Sequence, residues 1–251
     1  MVRFLTLYAL LILFSCLRAS AQVNPNEYVE EKPPLMKYEW GFGVQLHTSG
    51  WGIDYRRGKN ITGYKKRIFE GELVNFRHPK EIRSVNPYFD NAKSFFYGKL
   101  NSITVARVGT GRQRVLYSKA EKDGVEVRLL YSAGASIALA KPIYLFILYP
   151  TGFEGEFELI EEKYDPDRHY TDNIYGRAPF TRGLNEIKPY PGGYLKTGLS
   201  FEYGTYTNNI RCLEVGACLD VYYREVPIMA LTENNAIFLN FYINWLFGKR
   251  W

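Results

Sequence analysis

The 251-residue chain is 46% hydrophobic and 23% charged, with a net charge of +6. That length suits one domain or two, and that apolar share excludes a disordered chain. Its mean hydropathy of −0.26 argues against a polytopic helical membrane protein, but not against a membrane barrel, whose strands alternate apolar and polar residues.

The first element is an address. Residues 1–21 read as a secretory signal peptide. Arg3 supplies the positive start, residues 4–17 the apolar run, and Ala19-Ser20-Ala21 the small-residue cleavage site. A transmembrane anchor is the alternative, but the run is shorter than the roughly 20 residues of a span, and Arg18 closes it. Leu13-Phe14-Ser15-Cys16 also offers a loose lipoprotein signal, a weaker match than Ala-Ser-Ala. Loss of Arg3 and Arg18 lowers the charge to about +4, too mild to imply nucleic acid. Residues 22–38 are polar, acidic and proline-containing, and read as a periplasmic lead-in.

From residue 39 onward the pattern has period two, the mark of strands with two unlike faces. Over 40–46, Trp40, Phe42, Val44 and Leu46 alternate with Gly41, Gly43 and Gln45. Trp51, Ile53 and Tyr55 alternate with Asp54 and Arg56. Residues 66–76 carry Glu70 and Glu72 on one face, and 95–107 and 112–118 read as two further strands around a Gly109–Gly111 turn. The longest pattern is 125–139, where every odd position is apolar. It exceeds the usual strand of a soluble sheet and suits a tilted crossing of a bilayer. Residues 143–149, 193–203, 211–223 and 237–247 complete the set.

The expected fold is an all-β, antiparallel transmembrane up-and-down β-barrel of about ten strands, with eight as the alternative count. Long connections at 78–93 and 151–191 fall on one side, opposite short turns, as in outer-membrane barrels. The expected layout is a signal peptide at 1–21, a lead-in at 22–38 and a barrel at 39–251. The two long loops are then extracellular and both termini periplasmic. A soluble exported β-sandwich is the rival fold. Its solvent face would be rich in Lys, Glu and Thr, whereas here the polar face carries Gly, Ser, Ala and scattered charges.

With apolar positions toward lipid, the inward acids are Asp54, Glu70, Glu72, Glu126, Glu202, Glu214 and Asp220. The inward bases are Arg56, Arg112, Arg114, Arg128 and Lys196. Charges in a narrow barrel must pair, which predicts a filled lumen rather than a wide pore. The 16% of aromatic residues, led by 21 Tyr, then find a place. Trp40, Trp51, Tyr55, Tyr131, Tyr203, Tyr223, Trp245 and Trp251 are expected as interface girdles.

Candidate chemistry is sparse. His47 lies near Ser49 and Asp54, but a triad needs contact in space, and neither GxSxG nor HExxH occurs. Asp165, Asp167, His169 and Asp172 offer metal-ligand atoms in a turn-rich loop without the EF-hand pattern. Cys212 and Cys218 lie six apart in one expected strand, about 20 Å between Cα atoms, too far for a disulfide. They read as buried free thiols. No catalytic, cofactor or metal residue is assigned.

The segments FRHPKE (76–81), YGKLN (97–101), GRQR (111–114), GVEVR (124–128), IYGRAPF (174–180) and FGKRW (247–251), with the Ser20-Ala21-Gln22 signal end, resemble a family of small outer-membrane β-barrel proteins from Bacteroidota. In general style it is similar to small barrels that accompany secretion and barrel-assembly machines. The resemblance implies a structural or accessory subunit, with outer-membrane lipid and proteins of an envelope complex as partners; no nucleic acid and no cofactor are expected. The alternatives are a membrane-embedded hydrolase or lipid-modifying enzyme built on His47, and a narrow transport or ligand-binding barrel.

Overall fold

A computed structural model describes residues 36–89, 91–119, 124–151, 157–204, 208–230 and 232–251. The signal peptide and nearly all of the lead-in lie outside the described residues.

Eight strands close into a barrel in the order β1-β13-β12-β11-β7-β6-β3-β2. They are β1 (Tyr38–His47), β2 (Gly50–Asn60), β3 (Lys65–Phe76), β6 (Asn101–Tyr117), β7 (Glu126–Pro142), β11 (Lys188–Glu202), β12 (Asn209–Tyr222) and β13 (Ile237–Arg250). All neighbours are antiparallel, and β1 closes on β13 with Gly41 opposite Gly248. Five short strands stand apart. β4 (Arg83–Ser84) pairs β5 (Phe95–Phe96), while β8 (Tyr144–Pro150) pairs both β9 (Phe157–Lys163) and β10 (Ile174–Arg177).

The count is thus the lower of the two expected. The segments 95–107 and 112–118 are not two barrel strands, because β6 runs unbroken through Gly109 and Gly111. These glycines mark close approach rather than a turn. A Cβ on Gly109 would lie 2.4 Å from the Tyr194 hydroxyl, and one on Gly111 2.4 Å from the Tyr131 carbonyl oxygen. Residues 143–149 also leave the barrel. They form most of β8, in the separate three-stranded sheet.

Burial is inverted relative to a soluble sheet. Along β13, Leu239, Phe241, Ile243, Trp245 and Phe247 are exposed, and Asn240, Tyr242, Asn244 and Leu246 are buried. Phe241 is 61% exposed and Asn244 0%. Such an exterior suits hydrocarbon, and the interior must then satisfy its own polar groups. From Ile237 to Phe247, ten steps of about 3.4 Å at a tilt of about 40° give an apolar band about 25 Å tall.

Connections sort by rim. Residues 61–64, 118–125 and 203–208 join strands at one rim, where β1 also begins and β13 ends. Residues 48–49, 77–100, 143–187 and 223–236 join them at the other. The second is called the loop rim below, the first the turn rim.

Candidate functional site

The interior is built by the inward half of each strand. Toward the turn rim, Lys66 Nζ donates to both Glu39 oxygens at 2.7 and 2.9 Å, and Arg250 Nε donates to Glu39 at 3.0 Å. Arg250 also forks onto Glu202, 2.7 Å for its Nη1, and Arg128 joins Glu126 and approaches Glu202. Deeper in, Arg56 binds Glu214 through two nitrogens at 2.5 and 2.9 Å. Asn244 and Gln113 donate to the same carboxylate. Glu70 accepts from the Ser132 hydroxyl at 2.5 Å and the Tyr194 hydroxyl at 2.9 Å. Nearer the loop rim, Arg107 forks onto Asp220 at 2.8 and 2.7 Å and donates to Glu72 at 2.8 Å. Glu72 also accepts from Lys196 and Gln45. The Lys196 ammonium lies 4.5 Å from the centre of the Tyr242 ring.

Forked and multiply bonded pairs of this kind are the ones that offset desolvation. Asp54 is the exception: it is buried, and among the described residues neither oxygen has a hydrogen-bond partner. Room for it comes from Gly43, where a Cβ would lie 2.2 Å from its Oδ1.

All seven expected inward acids are buried or half-buried, and so are Arg56, Arg128 and Lys196. Arg112 and Arg114 are corrected: both are exposed, on the outer face of β6. The inward residues there are Arg107, Gly109, Gly111 and Gln113. Glu39, Lys66, Arg107 and Arg250 were missed as interior partners. Strict alternation from Gly41 and Gly43 would have found Glu39, and from Glu70 and Glu72 would have found Lys66.

Above the charges the inward face becomes apolar. Val74, Phe76, Ile103, Val105, Ala138, Ala140, Tyr190 and Tyr222 pack against Val226, Ile228 and Met229 of the 223–236 connection. That connection is pinned across the mouth: Leu100 N donates to Ile228 O at 2.9 Å, and Ala230 N to Gly98 O at 2.8 Å. The Asn234 side chain holds Ile228 N and Met229 O. The lumen is therefore filled by ion pairs and stoppered by an apolar plug.

A second packed unit stands at the loop rim. Phe95, Leu145, Ile147, Tyr164 and Ile174 make its core beneath β8, β9 and β10. Beside it the exposed Glu186 carboxyl is held below its usual range by hydrogen bonds from the Tyr144 hydroxyl and Lys163.

The sequence candidates for chemistry are not brought together as a catalytic or metal set. His47 Nδ1 accepts from Ser49 N at 3.3 Å, and its ring meets Phe76 edge-on. The Ser49 hydroxyl donates to Asn240 at 2.6 Å instead. Asp54 lies four residues along β2 from Gly50, the register partner of His47, about 13 Å away. In the loop, His169 Nδ1 accepts from Asp165 N at 3.0 Å and its Nε2 faces Glu162 at 3.3 Å. Asp165 caps Asp167 N. These atoms hold the turn itself. Among the described residues no group of three His, Cys, Asp or Glu side chains is placed to hold a metal ion. Cys212 and Cys218 are free and buried, and the Cys212 thiol sits 2.7 Å from the Ser200 hydroxyl.

No protein-family model matches the chain, and no curated protein matches it. Among solved structures it is similar to the crystal structure of Neisserial surface protein A, at 9% identity and a TM-score of 0.41, over 85% of this chain and 96% of that one. It is also similar to Ail, the attachment invasion locus protein of Yersinia pestis, at 8% identity and a TM-score of 0.37, over 86% and 97%. A second Ail structure, in complex with the heparin analogue sucrose octasulfate, matches equally.

Proposed function

We propose that the protein is an integral outer-membrane barrel that does not conduct, and that it serves as a structural or accessory subunit of a larger envelope complex. The observation that carries this reading is the lumen, closed by paired charges and by the Val226, Ile228 and Met229 plug. The apolar exterior supports the bilayer, and the position of the long connections supports an extracellular loop rim. Aromatic rings support the same boundaries. Tyr38, Trp40, Tyr203 and Trp251 are exposed near the turn rim, Trp51 and Tyr223 near the loop rim. Tyr55 and Tyr131 sit on the wall between. The Bacteroidota resemblance and the accessory role fit this architecture.

The loop-rim sheet supports a protein partner. β9 is one of its two edges, and Phe157 and Leu159 on that strand are exposed. An unpaired edge with apolar side chains is a template for strand addition by another chain. Ile82, Val85 and Tyr88 add exposed apolar surface on the 77–100 connection.

Two outcomes are expected. Single-channel recording of the reconstituted protein will show no conductance steps, and regular openings would overturn the closed-lumen reading. Purification from native membranes in mild detergent will bring a partner with the barrel. A clean monomer, with the edge strand β9 still present, would remove the accessory role.

A further inference from the structure

Two residues beyond Leu139, on the outward face of β7, the apolar wall gives way to Lys141, whose register partner on β6 is Ser102. Lys141 is only 8% exposed. Its ammonium donates to the Phe180 and Arg182 carbonyl oxygens, each at 3.1 Å, and lies 4.5 Å from the centre of the Phe180 ring. A cavity of about 530 Å³ opens here, and Lys93, Lys99 and Arg177 line it together with Phe96. Lys99 is paired with Glu81 at 2.7 Å. Among the described residues no acid pairs with Lys93, Lys141 or Arg177. Three positive charges therefore share one cavity without a paired carboxylate among the described residues. A buried cation without an anionic partner is costly, so the site is electrostatically incomplete.

We infer that this cavity binds the phosphate group of a lipid headgroup in the leaflet around the loop rim. The inference rests on the outer-membrane reading above. Height selects a lipid over a soluble anion. Ile137 is 44% exposed on the same face of β7, so the cavity sits where the apolar wall ends and headgroups begin. Phe180, 73% exposed beside Lys141, is an apolar side chain held at that boundary. Arg and Lys together match the oxygens of a phosphate: the fork gives direction, and the ammonium groups give charge.

The test is native mass spectrometry of the full chain, released from detergent after titration with lipid A bearing its phosphates. The comparison is the same lipid with its phosphates removed. The phosphorylated lipid will be retained and the dephosphorylated one lost. Lys93→Gln/Arg177→Gln changes two exposed side chains that have no ion pair among the described residues, and will weaken retention about tenfold, the scale of one or two charge-assisted hydrogen bonds. Lys141→Gln will weaken it as well. Arg67→Gln/Arg112→Gln, on the outer wall nearer the turn rim, will leave it unchanged. Equal retention of both lipids, or by the Lys93/Arg177 variant, would overturn the inference. So would competition by inorganic phosphate at the lipid's own affinity, which would make the ligand a soluble anion. A folded, heat-modifiable barrel without lipid preference sinks this inference and leaves the outer-membrane reading standing. A chain that is soluble without detergent sinks both.

Discussion

Glu72→Ala will be the most destructive single change in the lumen. Glu72 lies on β3 with its side chain fully buried, and it neutralises two cations at once. Its oxygens accept from Lys196, from Arg107 at 2.8 Å and from Gln45 at 3.3 Å. Removing it strips Lys196 of its one ion-pair partner among the described residues. Arg107 keeps its fork to Asp220. Breaking a buried pair on one side costs about 3–5 kcal/mol, because the remaining charge stays buried. That is a large share of the roughly 5–15 kcal/mol that stabilises a folded protein. The expected result is a variant that loses its compact, fast-migrating form on gels at a much lower temperature than the parent. Glu72→Leu combined with Lys196→Met removes both ends of the pair, and will recover most of the loss, since an apolar replacement of a whole buried pair is often neutral. With Glu72→Leu and Lys196→Met also made singly, these two, the parent and the double variant close a double-mutant cycle. A Glu72→Ala barrel that melts with the parent would mean that the lumen is wetter than its geometry, with water solvating Lys196.

The interior network also explains how far the sequence could be read. Period-two alternation located seven of the eight barrel strands as single runs, because lipid on one side and paired charges on the other impose opposite chemistry on neighbouring residues. On β1, β12 and β13 the pattern is clean, and the inward residues Gln45, Glu214, Asp220 and Asn244 follow from it directly. It fails on β6 for a physical reason. Near the loop rim, Ile103 and Val105 face inward against the plug, while Thr104 faces outward. Apolar residues therefore stand on the wrong side for a rule that sends them to lipid, and the phase of the strand inverts. That inversion put Arg112 and Arg114 inside and hid Arg107. The plug could not be foreseen, because Val226, Ile228 and Met229 lie in a connection and only closure of the barrel brings them to Val74 and Ile103. The glycines misled in the same way. Gly109 and Gly111 look like a turn in sequence, yet their role depends on Tyr194 and on the neighbouring strand β7, more than twenty residues away along the chain. The loop candidates His169, Asp165 and Asp167 were legible as polar atoms close together. Only hydrogen-bond direction shows that they are spent on capping their own turn.

Gly134→Ala carries the second large effect and tests that reading of the glycines. Gly134 faces inward on β7, opposite Gly109 on β6. A Cβ there would lie 2.2 Å from the Val108 carbonyl oxygen and 2.5 Å from the Gly109 Cα. Both are backbone atoms of a paired strand, so no side chain can swing away to make room. Relief requires β6 and β7 to part, and with them the seat of Tyr194, whose hydroxyl bonds Glu70. Overpacking of this kind costs about 1–3 kcal/mol where side chains can adjust, and the cost is expected at or above the top of that range here. Gly71→Ala is the matched control. Gly71 lies on β3 facing outward, and a Cβ there would meet nothing within 4 Å. It also has ordinary backbone angles, so the substitution will be neutral or stabilising by about 0.4–1 kcal/mol through the unfolded chain. Thermal unfolding of the two alanine variants in the same lipid separates the explanations. If glycine serves strand flexibility, both variants shift together. If it serves the close approach of β6 and β7, only Gly134→Ala falls, and Gly134→Val falls further. The second pattern is expected, because the space around the two positions differs while their backbone conformations do not.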